Sequence, residues 1–333
     1  MVKNMNYNFD LPTDRRGTYS LKWDVAANEL PMWVADMDFE TAPEIKETIQ
    51  KRAGHGVFGY TVVPEEWYRA IEDWWQVRHH FHMEKEWMIF CTGVVPAISS
   101  IVRKMTTVGE KIVLLTPVYN IFFNSIVNNG RYVLECPLRY ENGEYSIDFC
   151  ELEAKLADPQ ASMMIFCNPH NPVGKIWDRD TMEKIGHLRH KVWRGLNTDE
   201  AAEPNVFAMS AAIAAWRNGA PWLEELRKYL YENKREAAKF LRTQIPEVSL
   251  VSSEATYLLW IDCRRITEKD VELKDFLRRE TGLYLCEGSE YGKAGEGFLR
   301  MNAACPRERL KDGLMRLKRG IEAFVRLPGR RIQ

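Results

Sequence analysis

The sequence lacks long hydrophobic runs and carries almost no net charge. Its longest purely apolar runs, such as 112–115 and 163–166, are far shorter than the roughly 20 residues of a membrane-spanning helix. The formal net charge of −1 gives no electrostatic attraction for nucleic acid or for an anionic membrane surface. The start of the chain is polar and aromatic, without the apolar core of a secretory signal. We therefore expect partners that are neither nucleic acid nor membrane.

The chain also lacks the cysteine spacing of a disulfide framework or a zinc site. Its seven cysteines are odd in number and widely spaced, and no Cys-x-x-Cys occurs. Such a pattern is typical of reduced, mostly buried thiols, so we predict a cytoplasmic protein. His79, His80 and His82 lie close together in the sequence, but no acidic or cysteine partner stands in register with them. No metal site is predicted.

The order of apolar segments predicts an α/β fold with a mostly parallel sheet. A chain of 333 residues exceeds one comfortable core, so a large domain and a smaller one are expected. Strand-like runs alternate with helical segments, as in parallel sheets covered by helices. Strands are predicted at 87–91, 111–116, 131–137 and 162–167, only helices from 178 to 246, further strands at 256–262 and 298–302, and a last helix at 307–325. The later part of the chain indicates a smaller α+β domain.

Three loops follow predicted strands, at the edge where open α/β sheets bind ligands. Gly93 precedes a helix whose free N–H groups suit a phosphate, although many strand-to-helix turns contain glycine. Tyr119 follows the second strand, where its ring could lie over a planar ligand or simply pack. The third loop, Asn-Pro-His-Asn-Pro-Val-Gly at 168–174, is the most specific. Its prolines rigidify a turn that can hold the Asn171 amide outward.

These loops resemble the fold-type I pyridoxal phosphate (PLP) enzymes of aminotransferase class I/II, and most closely their cystathionine β-lyase (C–S lyase) branch. The matching segments are 9–10, 14–18, 20–24, 32–39, 59–61, 92–97, 116–120, 168–174 and 298–302. They span most of the chain in the expected order. The resemblance implies a PLP-binding large domain, a smaller C-terminal domain, and β-elimination of sulfur amino acids to pyruvate, ammonia and a thiol.

The resemblance also implies roles for individual residues. Gly93, Val94 and Val95 would offer backbone N–H groups to the cofactor phosphate, and Tyr119 would stack on the pyridine ring. Asn171 would donate to the phenolic oxygen of the ring and help to orient the substrate. Arg300 would bind the substrate α-carboxylate with its planar guanidinium.

Three further residues complete the set that the resemblance implies. Trp33 and Val34 would border the substrate. Tyr60 would reach the cofactor phosphate of a neighbouring subunit, which implies a homodimer with shared active sites.

Two reactive groups of this chemistry have no counterpart in the sequence. Such enzymes need a lysine for the Schiff base and an acid against the pyridine nitrogen. The family carries them in an Asp-Glu-x-His strand end and a Lys-Ala-Phe-Asn loop, and neither is present. The chain runs from Gly174 into Trp193, which resembles a later part of the family pattern, so about two βαβ units are missing near 191–192. Lys175, Lys184 and Lys191 are not nominated as substitutes.

Two explanations of the missing segment remain open. The natural protein contains the segment and this sequence omits it, or the chain is a deleted homologue. We favour the first, because loss of interior strands would expose apolar sheet edges. The predicted organisation is an arm over 1–45, a PLP-binding domain over 46–215 and a small domain over 216–333. The predicted function is a PLP-dependent C–S β-lyase; an aminotransferase and a non-catalytic dimeric homologue are the alternatives.

Overall fold

The computed structural model describes residues 7–186 and 205–327. The helices are α1 (Pro43–Gly54), α2 (Glu65–His79), α3 (Val94–Met105), α4 (Ile121–Val127), α5 (Phe149–Leu156), α6 (Arg179–Gly186), α7 (Ala208–Asn218), α8 (Ala220–Gln244), α9 (Asp270–Thr281) and α10 (Arg307–Val325). The strands are β1 (Leu30–Pro31), β2 (Lys111–Thr116), β3 (Tyr132–Pro137), β4 (Arg139–Glu141), β5 (Glu144–Ser146), β6 (Ala161–Ile165), β7 (Ser249–Leu250), β8 (Leu258–Asp262), β9 (Leu283–Tyr284), β10 (Cys286–Glu287) and β11 (Phe298–Asn302).

Two compact units divide these residues. The helical unit contains 40–108 and 205–228, and the sheet unit contains 8–39, 109–186 and 229–327. All the strands named above lie in the sheet unit. These units combine segments that are distant in the chain, unlike the three parts drawn from the sequence. The boundaries at 45 and 215 stay a prediction.

A parallel sheet forms the first layer of the sheet unit. β2 lies between β3 and β6 and runs parallel to both. Its side chains from Ile112 to Thr116 are buried on both faces, as expected for a parallel strand covered by helices. Asp148 begins α5 because its carboxylate accepts hydrogen bonds from the N–H groups of Cys150 and Glu151. The predicted α/β fold is confirmed here.

An antiparallel sheet forms the second layer of the same unit. Its strand order is β10-β11-β8-β7, and β11 pairs with β8 along its whole length. A core of aliphatic residues packs α9 and α10 against this sheet, with Leu299, Leu314 and Leu317 at its centre. The short β1 pairs in parallel with β9, which joins the N-terminal segment to the C-terminal part of the chain. The predicted strand at 298–302 and helix at 307–325 have the predicted bounds.

The helical unit is held together by aromatic contacts. α7 packs against α1 and α2, and the Trp74 ring meets the Trp216 ring edge-on with centroids 5.2 Å apart.

The predicted strand at 87–91 is wrong: Lys85–Trp87 is a turn of 3-10 helix, and residues 88–91 have no strand pairing. No strand of the described residues pairs with them to take up their backbone hydrogen bonds.

In the part of the chain that the structure describes, no helix is both long and apolar enough to cross a membrane.

Candidate active site

Two loops of the sheet unit leave the same edge of the parallel sheet. β2 and β6 are parallel neighbours, with Leu114 opposite Ile165. The loop that carries Tyr119 follows β2, and the Asn-Pro turn that carries Asn171 follows β6. Ligands of open α/β sheets bind at this edge, beyond the carboxyl ends of the strands. The two loops therefore meet where the sequence predicts a cofactor.

His170 joins these two loops. It is buried, and its Nε2 lies 2.9 Å from the Pro117 carbonyl oxygen. Trp177 donates its indole N–H to Nδ1 at 3.3 Å, so Nε2 carries the proton and donates to Pro117. Burial lowers the pKa of His170 to about 4, which keeps the imidazole neutral at physiological pH. No role of this histidine is predicted from the sequence.

Several buried polar atoms of the sheet unit form no hydrogen bond with the described residues. They include Oδ1 of Asn171, Oγ1 of Thr116, Nε1 of Trp33 and Nε of Arg300. Buried polar groups are nearly always paired, because a buried unpaired group costs about 1–3 kcal/mol. All four belong to the sheet unit, and three of them belong to residues predicted for the site. A polar ligand would satisfy such groups.

Arg300 is the most unusual of these residues. It lies in the middle of β11 and only 5% of it is exposed. Nη2 donates to the Trp33 carbonyl oxygen at 2.8 Å and lies 3.6 Å from the Cys286 sulfur. The Tyr291 ring lies under the guanidinium, 4.9 Å from ring centroid to Cζ. No carboxylate of the described residues forms an ion pair with Arg300, although buried arginines are usually paired.

The segment that contains Trp33 and Val34 is fixed against β11. The buried Asn302 side chain donates to the carbonyl oxygens of Val34 and Asp36 at 2.7 and 2.8 Å. The Trp33 indole stacks on Tyr284 with centroids 4.9 Å apart. The Trp33 carbonyl oxygen thus lies against Arg300, and a substrate contact of Trp33 and Val34 stays a prediction. The role of Asn302 was missed, although it belongs to the matched segment 298–302.

An ion cluster anchors this N-terminal segment. Lys22, Arg15 and Arg309 surround the buried Asp38 carboxylate at 3.2, 2.9 and 3.1 Å. Burial alone would raise the pKa of Asp38, but Lys22, the Trp23 N–H and Arg309 hold it below its ordinary value. The cluster therefore stays charged and fixes the run that leads to Trp33.

The other predicted residues lie in the helical unit. Gly93 directly precedes α3, and no side chain caps the N-terminus of that helix. Val94, Val95 and Tyr60 are exposed, and Tyr60 is fully so. The helix N-terminus has the free N–H groups that suit a phosphate. The structure thus brings Tyr119, Asn171, Arg300, Trp33 and Val34 into one unit and Gly93, Val94, Val95 and Tyr60 into the other.

The lysines near the Asn-Pro turn are described only in part. Lys175 forms an ion pair with Glu254 at 3.4 Å. Lys184 lies on α6, where its side chain is not described, and Lys191 and the junction near 191–192 lie outside the described residues. Among the described residues, no set of histidines, cysteines and acids is arranged to hold a metal.

Comparison with known sequences gives a family match. The sequence profile of "Aminotransferase class I and II" matches residues 28–201 and 204–317. The two matched segments meet close to the junction inferred from the sequence. Together they cover most of the chain.

Individual relatives agree with this match. The chain is 35% identical to cystathionine beta-lyase PatB of Bacillus subtilis, covering 93% of this chain and 99% of the relative. It is 30% identical to protein MalY of Escherichia coli, covering 95% and 99%. The crystal structure of cystalysin from Treponema denticola, which contains a pyridoxal 5'-phosphate cofactor, superposes with a TM-score of 0.89 at 27% identity, over 96% of this chain and 100% of that one.

The relatives carry residues that this chain lacks. The alignment with PatB is 382 residues long, although this chain has only 333. PatB is covered almost completely, so part of its sequence stands opposite gaps in this chain. The alignment length does not place these gaps along the chain, so a missing segment near 191–192 stays a prediction.

Proposed function

This chain belongs to the aminotransferase class I and II family, whose members are PLP-dependent enzymes, and we propose that it is a C–S β-lyase. Its substrates would be sulfur amino acids such as cystathionine, cleaved to pyruvate, ammonia and a thiol. The relatives named above include a cystathionine beta-lyase at 35% identity, which favours the lyase over an aminotransferase. The observation that carries the proposal is Arg300, a buried guanidinium without an acidic partner among the described residues.

Arg300 would bind the α-carboxylate of the amino acid. Its Nη2 is already held by the Trp33 carbonyl oxygen, whereas Nε has no partner. An unpaired buried charge costs several kcal/mol, and a carboxylate would remove that cost with charge-assisted hydrogen bonds. The fixed guanidinium also orients the substrate, because the Trp33 contact prevents rotation of the side chain.

The residues of the sheet unit fit a PLP ring. Asn171, in the turn after β6, would donate through its amide N–H group to the phenolic oxygen of the ring, and Tyr119, in the loop after β2, would stack on the pyridine ring. In the helical unit, considered by itself, the free N–H groups at the N-terminus of α3 (Gly93, Val94 and Val95) are of the kind that binds a phosphate. When bound, PLP provides an electron sink for the electron pair that remains on the substrate α-carbon when the α-proton leaves.

The chain's own residues prepare the site for that chemistry. Neutral His170 fixes the Asn171 turn against the Tyr119 loop, so neither loop depends on pH above the pKa of His170. The Trp33 indole would cover the substrate and exclude water beside Arg300. We also propose a cytoplasmic homodimer in which the exposed Tyr60 reaches the partner's site.

The absent motifs favour a second candidate function. The sequence has no counterpart of the family lysine or of the acid for the pyridine nitrogen, so the residues that move the proton are not assigned. A chain that keeps the binding groups and lacks the reactive ones is a ligand-binding homologue. The two candidates differ in catalysis and agree in binding.

One experiment separates these candidates. The purified protein is weighed intact, loaded with PLP and incubated with L-cystathionine, with and without a keto acid acceptor. Pyruvate and free thiol without acceptor support the lyase, and acceptor-dependent loss of the amino acid without thiol supports an aminotransferase. Bound PLP with neither product, at a mass of 38.8 kDa, rejects the lyase in favour of the binding homologue. Arg300→Met should lower kcat/KM at least ~100-fold, with Arg279→Met as the exposed control.

The homodimer is tested separately. Light scattering should give twice the protomer mass, and mixing Tyr60→Ala with Arg300→Met protomers should restore part of the activity in mixed dimers. A monomer, or no recovery on mixing, would exclude shared sites.

A further inference from the structure

The guanidinium of Arg300 rests on an aromatic ring that no predicted role includes. Tyr291 is 1% exposed, and its ring centroid lies 4.9 Å from Cζ of Arg300. The ring is itself fixed by the Trp260 indole, which meets it edge-on at 5.6 Å. A cation over an aromatic face within about 6 Å is attracted by the quadrupole of the ring, most strongly where water is excluded. Tyr291 therefore holds Arg300 from below while the Trp33 carbonyl holds it from the side.

Tyr291 also contacts the other end of the site through its backbone. Its carbonyl oxygen accepts the Val118 N–H at 2.8 Å, next to Tyr119. The following residue, Gly292, has φ of 104°, and a Cβ there would lie 2.9 Å from Glu135 Oε2 and 3.0 Å from Thr116 Cγ2. The backbone after Tyr291 therefore packs closely against the end of β2 and leaves no room for a side chain at position 292.

A buried neutral phenol suits this position. Burial raises the pKa of Tyr291 above its ordinary value, so the hydroxyl brings no negative charge close to Arg300. A carboxylate in its place would pair with the guanidinium and leave nothing for a ligand to bind. The face of the Tyr291 ring stabilises the guanidinium cation and does not occupy the N–H groups of Arg300.

We propose that Tyr291 is a positioning residue for carboxylate binding: its ring orients the Arg300 guanidinium by a cation–π contact, and its backbone ties that guanidinium to the Tyr119 loop. The inference rests on the proposed function, because it assumes that Arg300 binds the substrate carboxylate. Tyr291 itself touches neither substrate nor cofactor.

The test measures binding, so that it does not depend on turnover. The probe is 3-(methylthio)propanoate, a thioether carboxylate without an amino group, titrated calorimetrically into the PLP-loaded protein; its amide analogue shows how much of the affinity comes from the carboxylate. Tyr291→Leu removes the aromatic ring, and we expect the dissociation constant to rise about tenfold. Tyr291→Phe retains the ring and should bind within about twofold of the original protein. Phe276→Leu is the matched control, since Phe276 is a buried aromatic residue that packs on Phe324 in a different core cluster from that of Tyr291.

Fluorination distinguishes positioning from mere packing. Phenylalanine and trifluorophenylalanine at position 291 have similar shapes, but fluorine withdraws charge from the ring face. Affinity for the carboxylate should fall on fluorination, whereas affinity for the amide should not change. This pair also decides the matter if Tyr291→Leu does not fold.

Each outcome bears on the proposal. Loss of affinity in Tyr291→Leu and the fluorinated protein, with Phe276→Leu unchanged, supports it. Equal affinity of the phenylalanine and trifluorophenylalanine proteins, or no effect of Arg300→Met on carboxylate binding, overturns it. If binding behaves as expected but cystathionine yields no pyruvate, the lyase proposal fails and the role of Tyr291 stands.

Discussion

Two five-residue segments that the sequence predicts as strands have different structures in this protein. Phe298–Asn302 is the fully buried strand β11, whereas 87–91 forms no strand and leaves Trp87 and Ile89 58% and 41% exposed. Residues 87–91 are all apolar, whereas β11 also contains Arg300 and Asn302, so apolar composition does not decide which segment becomes a strand. β11 lies between β8 and β10, and no strand of the described residues lies beside 87–91.

A segment thus becomes a strand only where a neighbouring strand is present to pair with it. Strand propensity is a preference for a pleated, half-buried surface and not an intrinsic backbone state. β11 satisfies its backbone groups on both sides and buries every side chain, so local preference and tertiary context agree. The run at 87–91 has the preference without the partner, consistent with the segment that relatives carry and this chain lacks. Substitutions can distinguish the surroundings of the paired, buried strand β11 from those of the unpaired run 87–91.

The largest effect should come from the ion cluster that joins the N-terminal segment to Arg309 of α10. Asp38→Asn leaves buried Lys22 without its full counter-charge, and we expect a loss of about 4 kcal/mol in the free energy of unfolding. Urea denaturation measures it. Asp312→Asn, which breaks only the partly exposed pair with Arg316, should cost under about 1 kcal/mol. Similar losses in both variants would contradict a special role for the cluster.

A truncation in each run tests the comparison directly. Leu299→Ala in β11 removes a fully buried side chain and should cost about 3 kcal/mol. Ile89→Ala, at 41% exposure, should cost under about 1 kcal/mol. Both are measured by urea denaturation of the same preparation. Equal costs would mean that 87–91 is packed as firmly as β11.

The smallest effect concerns pH and the sheet edge that carries the site. His170 has a folded pKa of about 4, below its unfolded value, so the unfolded chain binds more protons between about pH 6.5 and 4. The stabilisation is complete above that window and is lost as pH falls through it. Between pH 7 and pH 5 we expect a loss of roughly 2 kcal/mol in the free energy of unfolding from this residue.

Two variants isolate this contribution. His170→Gln keeps an amide donor for the Pro117 carbonyl and should flatten the pH dependence. His82→Gln removes an exposed histidine and should leave it unchanged. An unaltered slope in His170→Gln would show that another group causes the dependence.

Part of the site could be predicted because its signals are local. The Asn-Pro turn and the segment around Arg300 carry distinctive residues in a short stretch, and both lie at positions expected of a ligand site. His170, Tyr291 and Asn302 could not be assigned in this way. Each acts on a residue distant in the chain, and a histidine, tyrosine or asparagine has no sequence signal for the carbonyl or cation that it will meet.

The sequence alone was enough to predict the α/β class, the bounds of β11 and α10 and the family, and it names the residues that are proposed to meet a cofactor and a carboxylate. It also determined that the lysine motif is absent, since absence of a motif is a property of the chain alone. Only the tertiary structure decided that 87–91 is not a strand and that Arg300 lacks an acidic partner among the described residues. It alone decided that the Tyr291 ring lies beneath Arg300. Hydrogen-bond partners, buried charges and ring contacts join residues far apart in the chain, so local pattern cannot specify them.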